Sequence, residues 1–349
     1  MLRQSRKLEH IEYFLRTAGE RADNGFADIN VLHDCLSGHA LSDVCLKTNL
    51  LDIRLEHPII IDALTGGDER VIEINRALSL AAKASGCALA VGSQYAAIKN
   101  PAARASYEIV RKENPDGVIF ANIGAYASPA EAKEAVDMLS AQALEIHLNV
   151  AQELFMAEGD RAFCGYLSNI EKIAALLPVP VIVKETGCGM SMEAAARLLG
   201  AGVKILNVAG AGGSNFIAIE TARADKTLDG ALRGWGINTA VSTLEVAHIT
   251  DGRADIIVSG GIRTALDIIK ALACGGRAVG IAGMFLKILA EQGVDGLCAK
   301  IENLLDECRK LLLLTGCASV DALRKKPLVV TGFARQWIDA RGIDPLKGR

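Results

Sequence analysis

Two short apolar runs with a helix-like segment between them make up the stretch GVIFANIGAYASPAEAKEAVDMLSAQALEIHL, residues 117–148. The helix-like segment opens with Ser128 as a candidate N-cap, Pro129 at the first helical position and Glu131 three residues after the cap, which is the pattern of a capping box. We expect a helix from Pro129 to Ala141. A strand, a helix and a second strand in this order are typical of a βαβ unit, whose two strands are parallel.

The same alternation continues along the chain. Eight short apolar or β-branched runs occur, with stretches of helical length between most of them, such as Thr264 to Ala273, which stops at Gly275-Gly276. Eight alternating units of this kind predict a closed (β/α)8 TIM barrel, and a doubly wound open sheet is the structural alternative. The eight runs are Pro58–Ala63, Ala88–Val91, Gly117–Asn122, Ala143–Leu148, Val179–Lys184, Val203–Val208, Asp255–Ser259 and Ala278–Ala282.

Length and composition agree with one large α/β domain. The 349 residues are 50% hydrophobic but only 4% aromatic, so the interior must consist of Ala, Val, Ile and Leu, which suits buried parallel strands. A typical barrel takes about 250 residues, and we therefore expect both ends of the chain to be additions to it. The single domain would comprise an N-terminal arm and cap over 1–55, the barrel over 56–290, and C-terminal helices over 291–349, one of them at Ile301–Leu314.

Charge and cysteine content argue against several classes of protein. The net charge of −3 argues against a nucleic-acid partner, since such proteins present a basic face. The nine cysteines form no C-x-x-C pair, so neither a disulfide framework nor a zinc site is indicated. The N-terminus is polar, so we expect no export, and no uncharged apolar run reaches the roughly 18 residues of a membrane span. We expect a cytoplasmic protein without a membrane partner.

Polar motifs follow the apolar runs, at the ends where barrel enzymes carry their active sites. Leu64-Thr65-Gly66-Gly67 follows the first run, Gly92-Ser93-Gln94 follows the second, Asn122 ends the third, and Lys184-Glu185-Thr186-Gly187 ends the fifth. Each motif alone also suits a turn or a cap, and Asn122 also suits a hydrogen bond to the loop backbone. Their shared position, run after run, predicts that they line one pocket.

One segment after the fourth run, His147-Leu148-Asn149-Val150-Ala151-Gln152-Glu153, joins an imidazole, two amides and a carboxylate. Strand alternation puts His147 and Asn149 on one face. Gln152 and Glu153 lie beyond the strand, where the chain can turn them over the same pocket. The segment therefore predicts a binding site.

Glycines after the last two runs predict a phosphate site. Ser259-Gly260-Gly261-Ile262-Arg263 leaves the seventh run and Ala282-Gly283-Met284 leaves the eighth. Barrels commonly hold a phosphate between these two loops, where backbone N–H groups and a helix N-terminus approach its oxygens. Arg263 is either a bidentate phosphate contact or a solvent-facing side chain at a helix start, and the glycines alone also suit tight turns.

Eight motifs spread from Arg6 to Gly261 can be compared with known families. They are Arg6-Lys7-Leu8-Glu9-His10-Ile11, Leu64-Thr65-Gly66-Gly67, Val91-Gly92-Ser93-Gln94, His147-Leu148-Asn149 with Gln152-Glu153, Val183-Lys184-Glu185, Gly212-Gly213-Ser214-Asn215, Trp235-Gly236-Ile237 and Ser259-Gly260-Gly261. Together they resemble the type 2 isopentenyl-diphosphate isomerases, over nearly all of the chain. The first and fourth motifs are specific to that family, whereas the glycine and lysine motifs also occur in other FMN barrels. Two positions depart from the pattern, because Leu64 stands where Met is frequent and Tyr95 where a basic or apolar residue is more usual.

The resemblance implies an enzyme of isoprenoid biosynthesis that interconverts isopentenyl and dimethylallyl diphosphate, a small-molecule substrate. It also implies FMN kept reduced by NADPH, a requirement for Mg²⁺, and assembly as a homotetramer or homo-octamer. Because the reaction adds one proton and removes another without net redox change, the reduced flavin would act as an acid/base group.

Roles for individual residues follow from the resemblance and from side-chain chemistry. Glu153 would bind Mg²⁺ together with phosphate oxygens and water. Lys184 would stabilise the reduced flavin anion, unless it only pairs with a neighbouring carboxylate. Gln152 would orient the alkene end of the substrate or help to relay a proton. His147 and Asn149 would bind the diphosphate, or Asn149 would instead hold the imidazole in position.

The full set of expected site residues falls into three groups. The catalytic group is Gln152, Lys184 and His147. Substrate contacts are expected from Arg6, Lys7, His10, Ser93, His147, Asn149 and Gln152, with the first three on an N-terminal arm. FMN contacts are expected from Leu64, Thr65, Gly66, Gly67, Ser93, Asn122, Lys184, Ser214, Gly260, Gly261, Arg263, Ala282 and Gly283.

Two connections, 150–165 and 209–236, are longer than their neighbours. Long βα connections in a barrel favour a role in covering the active site. The second connection is rich in glycine and contains Ser214, expected near the flavin, and Trp235, expected over the pocket.

Two other functions stay open. A FMN-dependent 2-hydroxy-acid oxidoreductase would need a histidine base and paired arginines for a carboxylate, which the early Arg-Lys pair fits poorly. A non-catalytic flavin- or phosphate-binding barrel would bind FMN without turnover, and the polar pair Gln152-Glu153 argues against it.

Overall fold

The computed structural model describes residues 23–349 and contains a closed barrel of eight parallel strands. Each predicted run supplies one of these strands, in chain order around the barrel. The (β/α)8 prediction is therefore confirmed, and the open sheet is wrong. Numbered in chain order within the described residues, the strands are β1 (Ile29–Val31), β2 (Thr48–Leu50), β3 (Ile53–Leu55), β4 (Ile59–Ile61), β5 (Ala88–Ala90), β6 (Ile119–Gly124), β7 (Ala143–Leu148), β8 (Val181–Glu185), β9 (Ile205–Asn207), β10 (Asp255–Ser259), β11 (Ala278–Ile281) and β12 (Leu328–Val330), of which β4 to β11 form the barrel.

Helices alternate with the barrel strands. Ser128 caps the helix predicted after β6, accepting from the Glu131 N–H while the Glu131 carboxylate accepts from the Ser128 N–H. This helix ends earlier than expected because Ser140 adopts a left-handed backbone, with φ of 45°.

Within residues 23–349, no helix is both long enough and apolar enough to cross a membrane. The helices are α1 (Ile72–Ser85), α2 (Tyr95–Lys99), α3 (Ala105–Glu113), α4 (Pro129–Leu139), α5 (Val150–Phe155), α6 (Tyr166–Leu176), α7 (Met192–Gly200), α8 (Phe216–Arg223), α9 (Gly230–Arg233), α10 (Thr239–Thr250), α11 (Ala265–Ala273), α12 (Gly283–Leu314), α13 (Val320–Leu323) and α14 (Gly332–Arg341).

Segments outside the barrel close one of its ends. The antiparallel hairpin β2–β3 places Leu50 and Leu55 in the same apolar cluster as the barrel interior. It is held at the amino ends of two barrel strands, because the Thr48 hydroxyl donates to the Arg277 carbonyl and the Leu51 N–H donates to the Asp255 carboxylate. The hairpin therefore seals the end of the barrel opposite the carboxyl ends of the strands.

The barrel interior changes from apolar to polar along the strands. Side chains alternate in direction with a period of two, so the residue two positions after each deep apolar side chain also points inward. Ile60, Phe120 and Ile182 belong to the deep apolar cluster. In six of the eight barrel strands a buried polar side chain lies two residues beyond the inward apolar one, and these six form what we call the polar layer: Asp62, Asn122, Glu145, Lys184, Asn207 and Ser259.

Arg111 on α3 links two neighbouring βα units. Its guanidinium donates to carbonyls at the ends of α3 and α4 and at the starts of the following strands, which satisfies groups that a helix end leaves without partners. The acceptors are the carbonyls of Leu139, Asn114, Pro115, Gly117 and Ser140 and the amide oxygen of Gln142, at 2.8 to 3.2 Å.

Replacing Arg111 with lysine is expected to lower the free energy of unfolding by about 2–3 kcal/mol, because one ammonium cannot reach acceptors that a planar guanidinium spans, and each stranded carbonyl costs about 1 kcal/mol or more. Urea denaturation followed by circular dichroism measures the change. Lys112→Arg, an exposed change on the same helix, should shift the free energy by less than about 0.5 kcal/mol. If both variants change the free energy of unfolding by the same amount, the hydrogen bonds of Arg111 make no specific contribution to stability.

Candidate active site

A cavity of about 1070 Å³ opens at the carboxyl ends of the barrel strands. Its floor includes members of the polar layer, and its walls come from the loops after the strands and from α5, α8 and the start of α12. This is the position that the polar motifs predicted. The predicted residues that line it are Leu64, Ser93, Asn122, His147, Asn149, Gln152, Glu153, Lys184, Ser214, Gly260, Gly261, Arg263, Ala282 and Gly283.

Six predicted residues are not part of the described cavity wall. Arg6, Lys7 and His10 lie outside the described residues. Thr65, Gly66 and Gly67 are buried behind the wall.

The buried glycines after β4 serve packing. A Cβ on Gly66 would lie 2.1 Å from the Tyr107 ring, and the Gly67 N–H donates to the Ser106 hydroxyl at 2.8 Å. Both glycines thus pack against α3, and a direct flavin contact by Gly66 or Gly67 stays a prediction. The buried Thr65 hydroxyl differs, because it makes no hydrogen bond within residues 23–349.

His147 is held by Asn122 of the neighbouring strand. Its Nδ1 lies 2.9 Å from the Asn122 amide oxygen, while the Asn122 amide nitrogen donates to the Glu145 carboxylate at 2.9 Å. The suggestion that Asn149 orients the imidazole is wrong, since Asn149 turns the other way. Glu145 was missed as a site residue, although it lies two positions before His147 and strand alternation places both on the inner face.

Asn149 and Glu153 form a separate pair at the start of α5. The Asn149 amide nitrogen donates to one Glu153 carboxylate oxygen at 2.9 Å, and the other oxygen accepts from the Asp160 N–H at 2.8 Å. The predicted long connection 150–165 thus begins with a helix, which raises Gln152 and Glu153 onto the cavity wall.

Gln152 is held by a carboxylate from the second long connection. Its amide nitrogen donates to Glu220 at 2.9 Å, and the other oxygen of this fully buried carboxylate accepts from the Arg223 guanidinium. Glu220 therefore fixes the rotation of the Gln152 amide. The connection 209–236 is partly helical, and the Trp235 indole is 64% exposed and outside the cavity wall, so its position over the flavin or the hydrocarbon tail stays a prediction.

Lys184 is a buried cation within the polar layer. Its ammonium lies 4.0 Å from Asp62 and 3.3 Å from the Glu185 carbonyl oxygen. Burial alone would lower the pKa of Lys184, but the carboxylates of Asp62, Glu145 and Glu185 outweigh it, so the pKa is raised. Burial and the charge of Asp62 raise the pKa of Glu145 to about 8. The polar layer thus combines one ammonium with two carboxyl groups, Asp62 and Glu145.

Lys184 forms the ion pair with a neighbouring carboxylate that was its alternative role, but the partner is Asp62 and not the adjacent Glu185. Its carboxylate turns back and accepts from the N–H groups of Thr186, Gly187 and Cys188. Burial nevertheless raises the pKa of Glu185 to about 7, against the lowering effect of these bonds. Lys184 therefore remains directed at the polar layer.

The glycine loops at the expected phosphate end fit closely together. A Cβ on Gly260 or Gly261 would lie 2.2 Å from the carbonyl oxygen of Gly210 or Gly212 respectively. The Arg263 guanidinium donates to the Gly212 carbonyl, so it braces these loops while lining the cavity. Helix α12 starts at Gly283 without a side-chain cap, which leaves its first N–H groups available to an anion.

Similar proteins are found across almost the whole chain. It is 47% identical to the isopentenyl-diphosphate delta-isomerase of Bacillus licheniformis, over 99% of this chain and 98% of that protein. It is also 47% identical to the enzyme of the same name from Moorella thermoacetica, over 97% of each chain. The chain belongs to the isopentenyl-diphosphate delta-isomerase family. Residues 130–330, more than half of the chain, match the model of FMN-dependent dehydrogenases, which places it in the FMN-dependent, type 2 branch of the isomerase family.

Solved structures with the same fold include FMN barrels outside the isomerase family. A lactate oxidase from Pediococcus acidilactici superposes with a TM-score of 0.68 at 18% identity, over 93% of this chain and 95% of that chain. A mandelate oxidase structure with an FMN adduct gives 0.65 at 20% identity, over 89% and 93%. At this identity the likeness shows the fold alone.

Proposed function

We propose that this member of the isomerase family interconverts isopentenyl and dimethylallyl diphosphate with reduced FMN, Mg²⁺ at Glu153 and NADPH as the reductant. One observation carries the proposal: a single cavity combines the buried ammonium of Lys184 at its floor with His147, Asn149, Gln152 and Glu153 on one wall. Such a site offers a cation to a flavin and polar groups to a diphosphate.

Three features support FMN as the group in this cavity. The uncapped start of α12 and the glycines Gly260 and Gly261 suit a phosphate. The Thr65 hydroxyl is buried beside cavity-lining Leu64 without a partner among the described residues, and buried hydroxyls are normally hydrogen-bonded. Lys184 suits the electron-rich edge of the ring. When bound, reduced FMN would supply the acid/base chemistry of the reaction.

Mg²⁺ would depend on Glu153 together with oxygens from substrate and water. Residues 23–349 contain no cluster of three or more His, Cys, Asp or Glu side chains suited to a metal. Mg²⁺ is commonly held by one or two carboxylates and substrate phosphates, so a single glutamate on the cavity wall is sufficient. Asn149 would keep the Glu153 carboxylate oriented toward that metal.

The remaining wall residues would bind and orient the substrate. We assign His147 and Asn149 to the diphosphate, and Gln152, fixed by Glu220, to the alkene end. Arg6, Lys7 and His10 stay predicted diphosphate contacts from the sequence. Assembly as a homotetramer or homo-octamer also stays a prediction, which light scattering coupled to size exclusion measures.

The partner of His147 favours isomerisation over hydroxy-acid oxidation. A histidine that removes protons as a base is usually oriented by a carboxylate, which also stabilises the imidazolium. Here Nδ1 faces the neutral amide of Asn122. In addition, Arg263 is engaged with the Gly212 carbonyl, which does not suit a free arginine clamp for a substrate carboxylate.

The test uses purified protein with FMN, NADPH and Mg²⁺ in the absence of oxygen. We expect dimethylallyl diphosphate to form from isopentenyl diphosphate, and omission of the reductant to abolish turnover. Bleaching of oxidised FMN by a 2-hydroxy acid, without any diphosphate product, would support the oxidoreductase instead. FMN binding without either reaction would support the third hypothesis, a non-catalytic flavin-binding barrel.

A further inference from the structure

We propose that Glu145 is a positioning residue for His147, which it controls through the Asn122 amide. Glu145 and Asn122 lie opposite each other in the β6–β7 register, and His147 lies two residues beyond Glu145. Glu145 and Asn122 are 1% and 2% exposed. The three side chains therefore form a short hydrogen-bonded chain that runs from the polar layer to the cavity wall.

With Glu145 ionised, the chain has one consistent direction. A carboxylate accepts hydrogen bonds, so the Asn122 group that faces Glu145 at 2.9 Å is then the amide nitrogen. The amide oxygen then faces His147, and the Nδ1 at 2.9 Å must carry the proton. Glu145 thereby fixes the protonated ring nitrogen of His147, although the two side chains are not hydrogen-bonded to each other.

The Asn122 backbone is also fixed, which prevents it from adapting. Its N–H donates to the Gln94 amide oxygen at 2.9 Å, its carbonyl accepts from the Gln94 N–H at 2.7 Å, and the Gln94 side chain continues to the Ala135 carbonyl at 3.0 Å. With the backbone held on both sides, only a flip of the Asn122 amide could change what His147 meets. The acceptor at Glu145 opposes that flip.

The consequence for the site is that Nε2 is the nitrogen of His147 that does not face Asn122. In the neutral ring this nitrogen is an acceptor, and it becomes a donor once the ring is protonated. A diphosphate oxygen needs a donor, so His147 would bind the diphosphate as an imidazolium that donates from both nitrogens. This last step rests on the proposed function, whereas the state of the neutral ring does not.

The direct test is the ring nitrogen spectrum of His147. Protein labelled with ¹⁵N at its six histidines is recorded at a pH where the ring is neutral and Glu145, whose pKa is raised to about 8, is ionised, and His147→Gln assigns the signal. We expect the Nδ1–H form in the unaltered protein. A Nε2–H form there would overturn the proposal without the need for any variant.

Two variants separate orientation from packing. Glu145→Gln keeps an acceptor oxygen and should retain the Nδ1–H form, whereas Glu145→Leu keeps similar volume without an acceptor and should lose it. Unchanged spectra in Glu145→Leu would overturn the proposal, and so would loss in both variants, since that would indicate disturbed packing.

Substrate kinetics supply a second readout. With FMN affinity unchanged, Glu145→Leu should raise KM for isopentenyl diphosphate about tenfold, which corresponds to about 1.4 kcal/mol, and Glu145→Gln should restore most of it. A KM that is the same in both variants and the unaltered enzyme would overturn the role of Glu145 in substrate binding. If the spectra are as expected but the protein has no isomerase activity, the proposed function is wrong and the positioning role of Glu145 still holds.

Discussion

Replacement of Lys184 with methionine is expected to lower the isomerisation rate by about 10²–10³-fold, the usual effect of removing one preorganised charge from an active site. Lys184 is 7% exposed and is the cation of the polar layer at the floor of the cavity, so water cannot replace its charge. Product formation at saturating FMN measures the rate, and a flavin titration shows how much FMN the variant binds. Unchanged turnover would place the flavin away from Lys184.

The same variant should also alter the pH dependence of stability. The pKa of Glu145 is raised from 4.5 to about 8, so its contribution to stability is fully present below about pH 4.5 and is lost as the pH rises toward 8. Removal of the Lys184 cation raises the pKa of Glu145 further, because Asp62 remains as an unbalanced negative charge beside it. Between about pH 5 and 8 Glu145 is protonated in both folded proteins, so the melting temperature of the variant without FMN should lie below that of the unaltered protein by a nearly constant amount. The difference should widen as the pH rises above about 8, where the unaltered protein ionises Glu145 and the variant does not.

A double variant separates the two effects of Lys184. Adding Asp62→Asn to Lys184→Met removes a negative charge together with the positive one and should recover most of the lost stability. It should not recover activity, since no cation is restored to the flavin. Recovery of both would show that the rate loss in the single variant came from a disturbed barrel.

Glu153→Gln is expected to weaken Mg²⁺ activation by about 100-fold, at the upper end of what loss of a supporting group costs a metal site. An amide is a poorer ligand than a carboxylate for a hard cation, while the hydrogen bonds from Asn149 and the Asp160 N–H can still be accepted by its oxygen in part. The concentration of Mg²⁺ that gives half-maximal activity measures the change.

A nearby glutamate provides the matched control for Glu153. Glu158→Gln makes the same change at an exposed position outside the cavity wall and should leave Mg²⁺ activation unaltered. FMN affinity should stay constant in both variants. Loss of FMN binding in Glu153→Gln would show that Glu153 contacts the flavin and not Mg²⁺.

The fold was predictable because its local signals agree with its long-range arrangement. The runs of β-branched residues became strands. The Ser128 cap and the stretch that begins at Thr264 gave helices where they were expected. The end of α4 was not predictable, because the left-handed backbone of Ser140 has no marker such as glycine. The helix at the start of the connection 150–165 was missed for a similar reason, since its six residues are too few to show a period.

The candidate site was predictable where one segment carries it, and less so where distant segments meet. The alternation that placed His147 also applies to Glu145, so Glu145 could have been found two residues earlier in the same strand. The contact between Gln152 and Glu220 joins positions that are 68 apart in the sequence, and no spacing rule indicates it. The packing of Gly66 and Gly67 against α3 was not predicted, because a glycine that approaches a ligand and one that approaches a tyrosine ring look alike in sequence.

The hairpin that seals the barrel has a consequence for the order of events. With Leu50 and Leu55 in the deep apolar cluster, the described cavity has a floor, and the mouth must serve every molecule that enters or leaves. In the proposed arrangement, FMN against Lys184 would lie deeper than a diphosphate beside Gln152 and Glu153. We then expect the flavin to bind before the substrate and to leave after it, because a bound diphosphate would block the mouth. Flavin release should slow as the substrate concentration rises, so the enzyme should retain FMN longest when it is saturated with substrate.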